Sequence, residues 1–169
     1  MRLWERILFS PTIGALTCST VHQISVIDRI DTVGAYLYQV YPDTSPTVYI
    51  RIPAKVMEAL KIPSDVIYKI KKYIYGLPDS GRAYYLAYAK LLQDAHYKKA
   101  KSDPCLFFKC NGDDRIYIWI HVDDTFVAAT SEDLLQELEA VIKSQYKITV
   151  KYDVETYLEE MSSWRSLSY

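Results

Sequence analysis

The chain has 169 residues, half of them apolar and 24% charged, with a formal net charge of −1. That length and apolar share are enough for one sizeable core and exclude a disordered charged tail. The near-zero net charge exerts no global pull on polyanions, so a partner of that kind has to be met by local basic patches. Three cysteines, Cys18, Cys105 and Cys110, form no CxxC pair, which favours a reducing compartment and ordinary thiols over a disulfide framework. Cys18 with His22 lacks further ligands at zinc spacing. No apolar run reaches membrane-spanning length, and Arg2, Glu5 and Arg6 interrupt any secretory signal. The expectation is a soluble intracellular protein without a membrane partner, in the cytoplasm or alternatively the nucleus.

In chain order, residues 1–20 carry no well-defined element. Val21 to Ile30 is rich in strand formers, and Asp31 to Tyr38 continues from strand into a turn or short helix. Pro42, Pro46, Pro53 and Pro63 break the stretches that follow; between them Val48 to Ile52 reads as a strand and Val56 to Leu60 as a turn or two of helix. Lys69, Lys71, Lys72 and Arg82 form one basic cluster, and Lys98, Lys99 and Lys101 another. Such runs are ordinarily solvated surface and otherwise candidate phosphate contacts. Tyrosine dominates the aromatics, 16 against four Phe and three Trp, and suits core edges where the hydroxyl stays hydrated.

Tyr84, Ala87, Tyr88, Leu91, Leu92 and Ala95 recur at helical spacing and predict a helix over about 80–95, with Asp79 or Ser80 as N-cap. Residues 104–110 and 115–120 flank Asn111-Gly112-Asp113-Asp114, a hairpin signal in which that acidic pair is turn surface. The next strand, Thr125 to Ala129, follows so closely that it must fold back antiparallel. Thr130 with Asp133 has capping-box spacing, and Leu134, Leu135, Leu138, Val141 and Ile142 make an apolar stripe on a helix of about 132–145 that would cover the sheet. Tyr146 to Lys151 alternates as a further strand.

Within this frame, Asp123-Asp124 stands at the bend between two apolar runs, Ile118 to Val122 and Thr125 to Val127. Two carboxylates there are costly unless a cation compensates them. Paired divalent ions ~3.5–4 Å apart, as in phosphoryl and nucleotidyl transfer, need carboxylates from adjacent strands. An Asp-Asp dipeptide is weak evidence alone, and a second strand has to bring the partner.

That partner is offered by Asp31-Thr32-Val33-Gly34-Ala35-Tyr36. With the aromatic/apolar-x-Asp-Asp hairpin downstream, it resembles the palm of a reverse transcriptase, most closely that of copia-type LTR retrotransposons. The closer match is carried by Tyr75-Gly76-Leu77, Arg82-Ala83-Tyr84-Tyr85, Lys101-Ser102-Asp103-Pro104-Cys105-Leu106-Phe107 and His121-Val122-Asp123-Asp124, in the family's order within a matched region of about 30–158, and by Phe9-Ser10-Pro11 near the start. The resemblance implies an α+β fold, a palm-like antiparallel sheet backed by helices, with partial fingers in a single domain. It further implies RNA-directed DNA synthesis from a dNTP onto a primer 3′-hydroxyl on an RNA template. Asp31, Asp123 and, more weakly, Asp124 would be the catalytic acids holding two Mg²⁺ ions, with Mn²⁺ able to substitute.

By the same resemblance Tyr36, with Ala35 before it, would stand under the incoming sugar and exclude a 2′-hydroxyl, unless its ring is simply a core aromatic. Arg82 would approach the nucleotide, and His121, Val122, Lys69, Lys71 and Lys72 the primer and template. Asp28 is a rival for the first metal position, though only Asp31 has Ala-Tyr at the right distance. Pro78-Asp79 stands where the family has Lys-Gln, which suits a helix cap better than a triphosphate contact; His121 replaces another aromatic, and Tyr157-Leu158-Glu159-Glu160 lacks the family's glycine. Complete fingers, thumb and ribonuclease H region are expected to lie elsewhere in a larger polyprotein. These departures leave a second reading, a non-catalytic relic or recruited nucleic-acid-binding module.

Overall fold

Alternating burial along β-strands gives this protein one sheet with two unlike faces. The computed structural model describes residues 26–63 and 66–152. In chain order these form β1 (Val26–Thr32), a 3-10 turn (Ala35–Tyr38), β2 (Tyr49–Arg51), α1 (Ala54–Leu60), β3 (Ile67–Lys69), α2 (Ser80–Asp94), β4 (Lys98–Lys99), β5 (Leu106–Asn111), β6 (Asp114–His121), β7 (Asp124–Ala129), α3 (Glu132–Lys143) and β8 (Ile148–Tyr152). The chain divides into two compact units, residues 34–84 and the remainder, and the boundary falls inside α2.

The larger unit holds the antiparallel sheet, in the order β4-β5-β6-β7-β1-β8. Strands β5, β6 and β7 form a meander with two-residue turns, whereas β1 arrives from far upstream and inserts between β7 and β8. One face carries Ile116, Ile118, Val127, Ala129 and Ile30, all buried. It is covered by α3, which buries Leu135, Leu138 and Ile142, and met by α2 at Tyr88. Each fully buried aliphatic side chain contributes about 1.5–3 kcal/mol. Thr125, on this face of β7, donates its hydroxyl to that of Tyr88 at 3.0 Å, and Tyr88 packs on Tyr146. Desolvation pushes the Tyr88 phenol far above its ordinary value, with the Thr125 hydrogen bond opposing.

Two of the segments that carry the family resemblance meet here. The Tyr85 hydroxyl donates to the Pro104 carbonyl at 2.6 Å, and the Asp103 carboxylate accepts from the Cys105 N–H at 2.8 Å, closing a turn ahead of β5. At the surface, Lys109 of β5 reaches Glu137 of α3 at 2.6 Å and lies over the Tyr97 ring.

The predicted helices at 80–95 and 132–145 are present as α2 and α3, and the hairpins are as expected. The capping box is not: the N-cap of α3 is Ser131, with no side-chain cap bond. The Thr130 hydroxyl instead accepts from the Arg115 N–H at 3.0 Å, because β6 lies beside the end of β7 and claims it first. Ser80 likewise turns its hydroxyl back to the Ile74 carbonyl at 2.7 Å, while the Asp79 carbonyl accepts the Ala83 N–H at the start of α2. Tyr146 is buried ahead of β8 rather than part of it. Strands β3 and β4 were not anticipated; at three and two residues they are too short for periodicity to mark.

The smaller unit contains the antiparallel pair β2-β3, with Ile50 opposite Tyr68, and α1. Its aromatics cluster: Tyr36 lies against Tyr75 at 4.5 Å between ring centroids and edge-on to Tyr84 at 6.2 Å, and Tyr41 meets Tyr73 at 5.1 Å. The predicted motifs Phe9-Ser10-Pro11 and Tyr157-Leu158-Glu159-Glu160, and the pair Cys18 and His22, lie outside the described residues. Cys105 is half-buried and Cys110 exposed, both as free thiols. Among the described residues no helix is long and apolar enough to cross a membrane.

Candidate active site on the open sheet face

The other face of the sheet is uncovered by these helices, and the acids lie at one end of it. β6 ends at His121 and β7 begins at Asp124, leaving Val122 and Asp123 as the two central residues of the turn. Val122 has φ 55°, a left-handed conformation that crowds a β-branched side chain. Positive φ at the first central position alone is the II′ pattern, which matches the twist of paired strands and explains why the bend is so short. The Asp123 carbonyl accepts the Thr32 N–H at 3.0 Å, tying the turn to the end of β1.

The strand register then fixes which side chains share the open face. Asp31 of β1 is directly opposite Asp124 of β7, which is in turn opposite His121 of β6, and Thr149 of β8 flanks Asp31 on the other side. Side chains opposite one another on a sheet project from the same face. One row further from the turn come Trp119, Phe126, Arg29 and Lys151, each opposite the next. Trp119 stacks on His121 at 5.3 Å and packs on Phe126 at 5.6 Å. An acidic row at the sheet edge is thus backed by a row that is aromatic on one side and cationic on the other.

Asp31 registers the crowding. Partial burial, then the charges of Asp124 and Asp123, push its carboxyl above the ordinary carboxylate value, while Arg29 and Lys151 pull the other way. The charges of Asp124 and Asp123 thus both reach Asp31. Arg29 goes further and donates from Nε at 2.9 Å and Nη2 at 2.7 Å to the same Asp124 Oδ1. It reaches diagonally from its own row, so that oxygen is engaged away from Asp31. Among the described residues no three His, Cys, Asp or Glu side chains converge closely enough to hold a metal ion as they stand.

Residues 8–161 match the family described as "Reverse transcriptase (RNA-dependent DNA polymerase)". The chain belongs to this reverse-transcriptase family. It is similar to "Retrovirus-related Pol polyprotein from transposon TNT 1-94" of Nicotiana tabacum, 23% identical over 145 residues that are 82% of this chain and 10% of the relative. It is also similar to the polyproteins of transposons RE2 and RE1 of Arabidopsis thaliana, 25% identical over 89% of the chain and 26% over 75%. The chain spans about a tenth of the length of these curated relatives. The retrotransposon resemblance read from the motifs is borne out, as is the palm-like α+β fold.

Within this reverse-transcriptase chain, β1 brings Asp31 and not Asp28 to the acidic row. Asp28 is 3% exposed and, three residues away on a strand, belongs to the helix-covered face. His121 and Val122 are exposed beside the acids. In the smaller unit Ala35 is fully buried and opens the 3-10 turn after Gly34, whose φ of 67° a side chain rarely adopts. The half-buried Tyr36 ring sits in the tyrosine cluster, while Arg82 is exposed on the first turn of α2. Lys69, Lys71 and Lys72 are exposed, and Lys69 makes a surface pair with Asp43 at 3.5 Å, of a kind worth little. Sequence reasoning overlooked Arg29 and Lys151. The signal was present, since a cation two residues before Asp31 must lie on the same face of β1.

Proposed function

We propose that this chain is the palm and partial fingers of an RNA-directed DNA polymerase, transferring nucleotides from dNTPs to a primer 3′-hydroxyl as part of a retrotransposon polyprotein. The observation that carries the reading is Asp31 standing opposite Asp124 on the open face, with the Asp123 carbonyl bonded to the residue after Asp31. Three carboxylates, of which Asp31 is raised by burial and then by the charges of the other two, are hard oxygen donors that suit Mg²⁺. Asp31 and Asp123 would hold the ions and Asp124 would contribute once released by Arg29. Divalent ions bound there supply activation of the attacking hydroxyl and neutralisation of the leaving phosphates.

The chain's own residues do the rest. Trp119, His121 and Phe126 offer ring faces next to the acids on which a nucleoside can rest, and Lys151 and Arg29 offer positive charge for phosphate. Tyr36 excludes the 2′-hydroxyl of an incoming ribonucleotide, and Lys69, Lys71, Lys72 and Arg82 meet backbone and nucleotide phosphates. A second reading, a relic that binds nucleic acid without catalysis, is favoured by the Arg29–Asp124 pair and by Asp79 in place of the family's glutamine.

Primer extension on poly(rA)/oligo(dT) with Mg²⁺ tests the two readings. Incorporation that is abolished by Asp123→Asn supports the polymerase. If neither the chain nor a fusion to the segment following the matched region in the tobacco polyprotein exceeds that variant, the polymerase reading fails; template retention in a filter assay would then leave the binding module.

A further inference from the structure

Asp124 is the acid whose place in the strand register and whose side-chain partner disagree. Its backbone stands opposite Asp31, in the acidic row, yet its Oδ1 accepts two N–H groups from Arg29, which belongs to the row behind and is opposite Phe126. The side chains of the pair are 17% and 16% exposed, so water screens the contact less than it does an open surface ion pair. A guanidinium with two donors on one oxygen holds a carboxylate in place more firmly than a point charge does. The same Arg29 lowers the cost of ionising Asp31, so its charge acts on both acids of the row.

We infer that Arg29 is a positioning residue that competes with a divalent cation for Asp124, holding the acidic row open until the guanidinium lets go. The inference rests on the metal-assisted reading above and concerns how the site fills. With Arg29 bound, Asp31 of the row and Asp123 of the turn are offered to an incoming ion; once the contact breaks, Asp124 becomes a third oxygen donor and the positive charge beside the site moves off. An anionic ligand that draws Arg29 away therefore strengthens cation binding, and the cation strengthens binding of that ligand equally.

The test is Mn²⁺ titration of the 169-residue chain followed by the loss of the free-ion paramagnetic resonance signal, with folding of each variant checked by near-ultraviolet circular dichroism. Arg29→Gln is expected to tighten Mn²⁺ on the order of tenfold, the worth of one charged hydrogen-bonded contact. Arg29→Lys, which keeps the charge and loses the two-donor hold, should give a smaller gain and serves if the glutamine variant does not fold. In an Asp124→Asn background the Arg29→Gln gain should vanish. Unchanged or weaker Mn²⁺ binding in both Arg29 variants, or an equal gain with Asn at 124, overturns the competition while leaving the metal site intact. Mn²⁺ binding that is indifferent to Asp31→Asn and Asp123→Asn overturns the metal reading itself, and the competition with it.

Discussion

Gly112 and Val122 hold the same position in the two turns that bracket β6, both at positive φ, 63° and 55°. The first turn is surface and uses the residue that tolerates the conformation; the second carries Asp123 and uses one that does not. A side chain in this region costs roughly 1–2 kcal/mol. Val122→Gly is therefore expected to stabilise the chain by about 1 kcal/mol in urea unfolding, after the extra freedom of glycine in the unfolded state is offset. Gly112→Val should destabilise by about the strain value. A valine-to-glycine change that fails to stabilise would remove strain from the account of this turn.

Asp31 binds its proton more tightly in the folded chain than in the unfolded one, chiefly through burial and then through Asp124 and Asp123. Stability accordingly falls as pH rises from the ordinary carboxylate value of 3.8 through the raised one. Asp31→Asn should have a higher melting temperature than the parent at pH 7, and the difference should close as pH drops below that ordinary value. A variant that melts lower at pH 7 would mean that the carboxylate is favourably solvated where it stands.

Tyr88 and Thr125 join α2 to the covered side of β7 through two buried hydroxyls. Tyr88→Phe leaves the Thr125 hydroxyl without that acceptor and is expected to cost about 1–3 kcal/mol in chemical unfolding. Adding Thr125→Val removes the other partner and should recover most of the loss. Additive costs in the double variant would show that the two hydroxyls are not coupled.

On the polymerase reading, Tyr36→Ala opens the space beneath the sugar. Ribonucleotide incorporation relative to deoxyribonucleotide should rise on the order of tenfold or more in single-nucleotide extension. Equal loss of both, with a lower melting temperature, would assign the ring to the tyrosine cluster it shares with Tyr75 and Tyr84.

The sheet's second half was readable because its signals are local: Asn111-Gly112 marks a turn and the Leu135-Leu138-Ile142 stripe marks the covering helix. That Asp31 meets the acidic hairpin came through the family pattern, since no periodicity links residues so far apart; that pattern put Asp123 ahead of Asp124, whereas the register sets Asp124 directly opposite Asp31. Thr130 misled because a hydroxyl at a helix start has the same local neighbours whether it caps or reaches β6; tertiary contact decided. Arg29 escaped for a related reason. Its meaning lies in the diagonal to Asp124 across two strands, and a linear pattern shows the alternation of β1 without showing what stands beside it.

The insertion of β1 between β7 and β8 also sets an order of assembly. Arg29 and Asp124 are 95 positions apart along the chain, whereas the β5-β6-β7 meander closes through two-residue turns. Closing the long loop costs more entropy and comes late relative to local hairpins. On a ribosome, the first acid emerges long before its neighbours and has to wait, exposed, until β7 is synthesised. The chemistry-bearing end of the sheet therefore depends on a pairing more distant in the chain than any within the meander it joins.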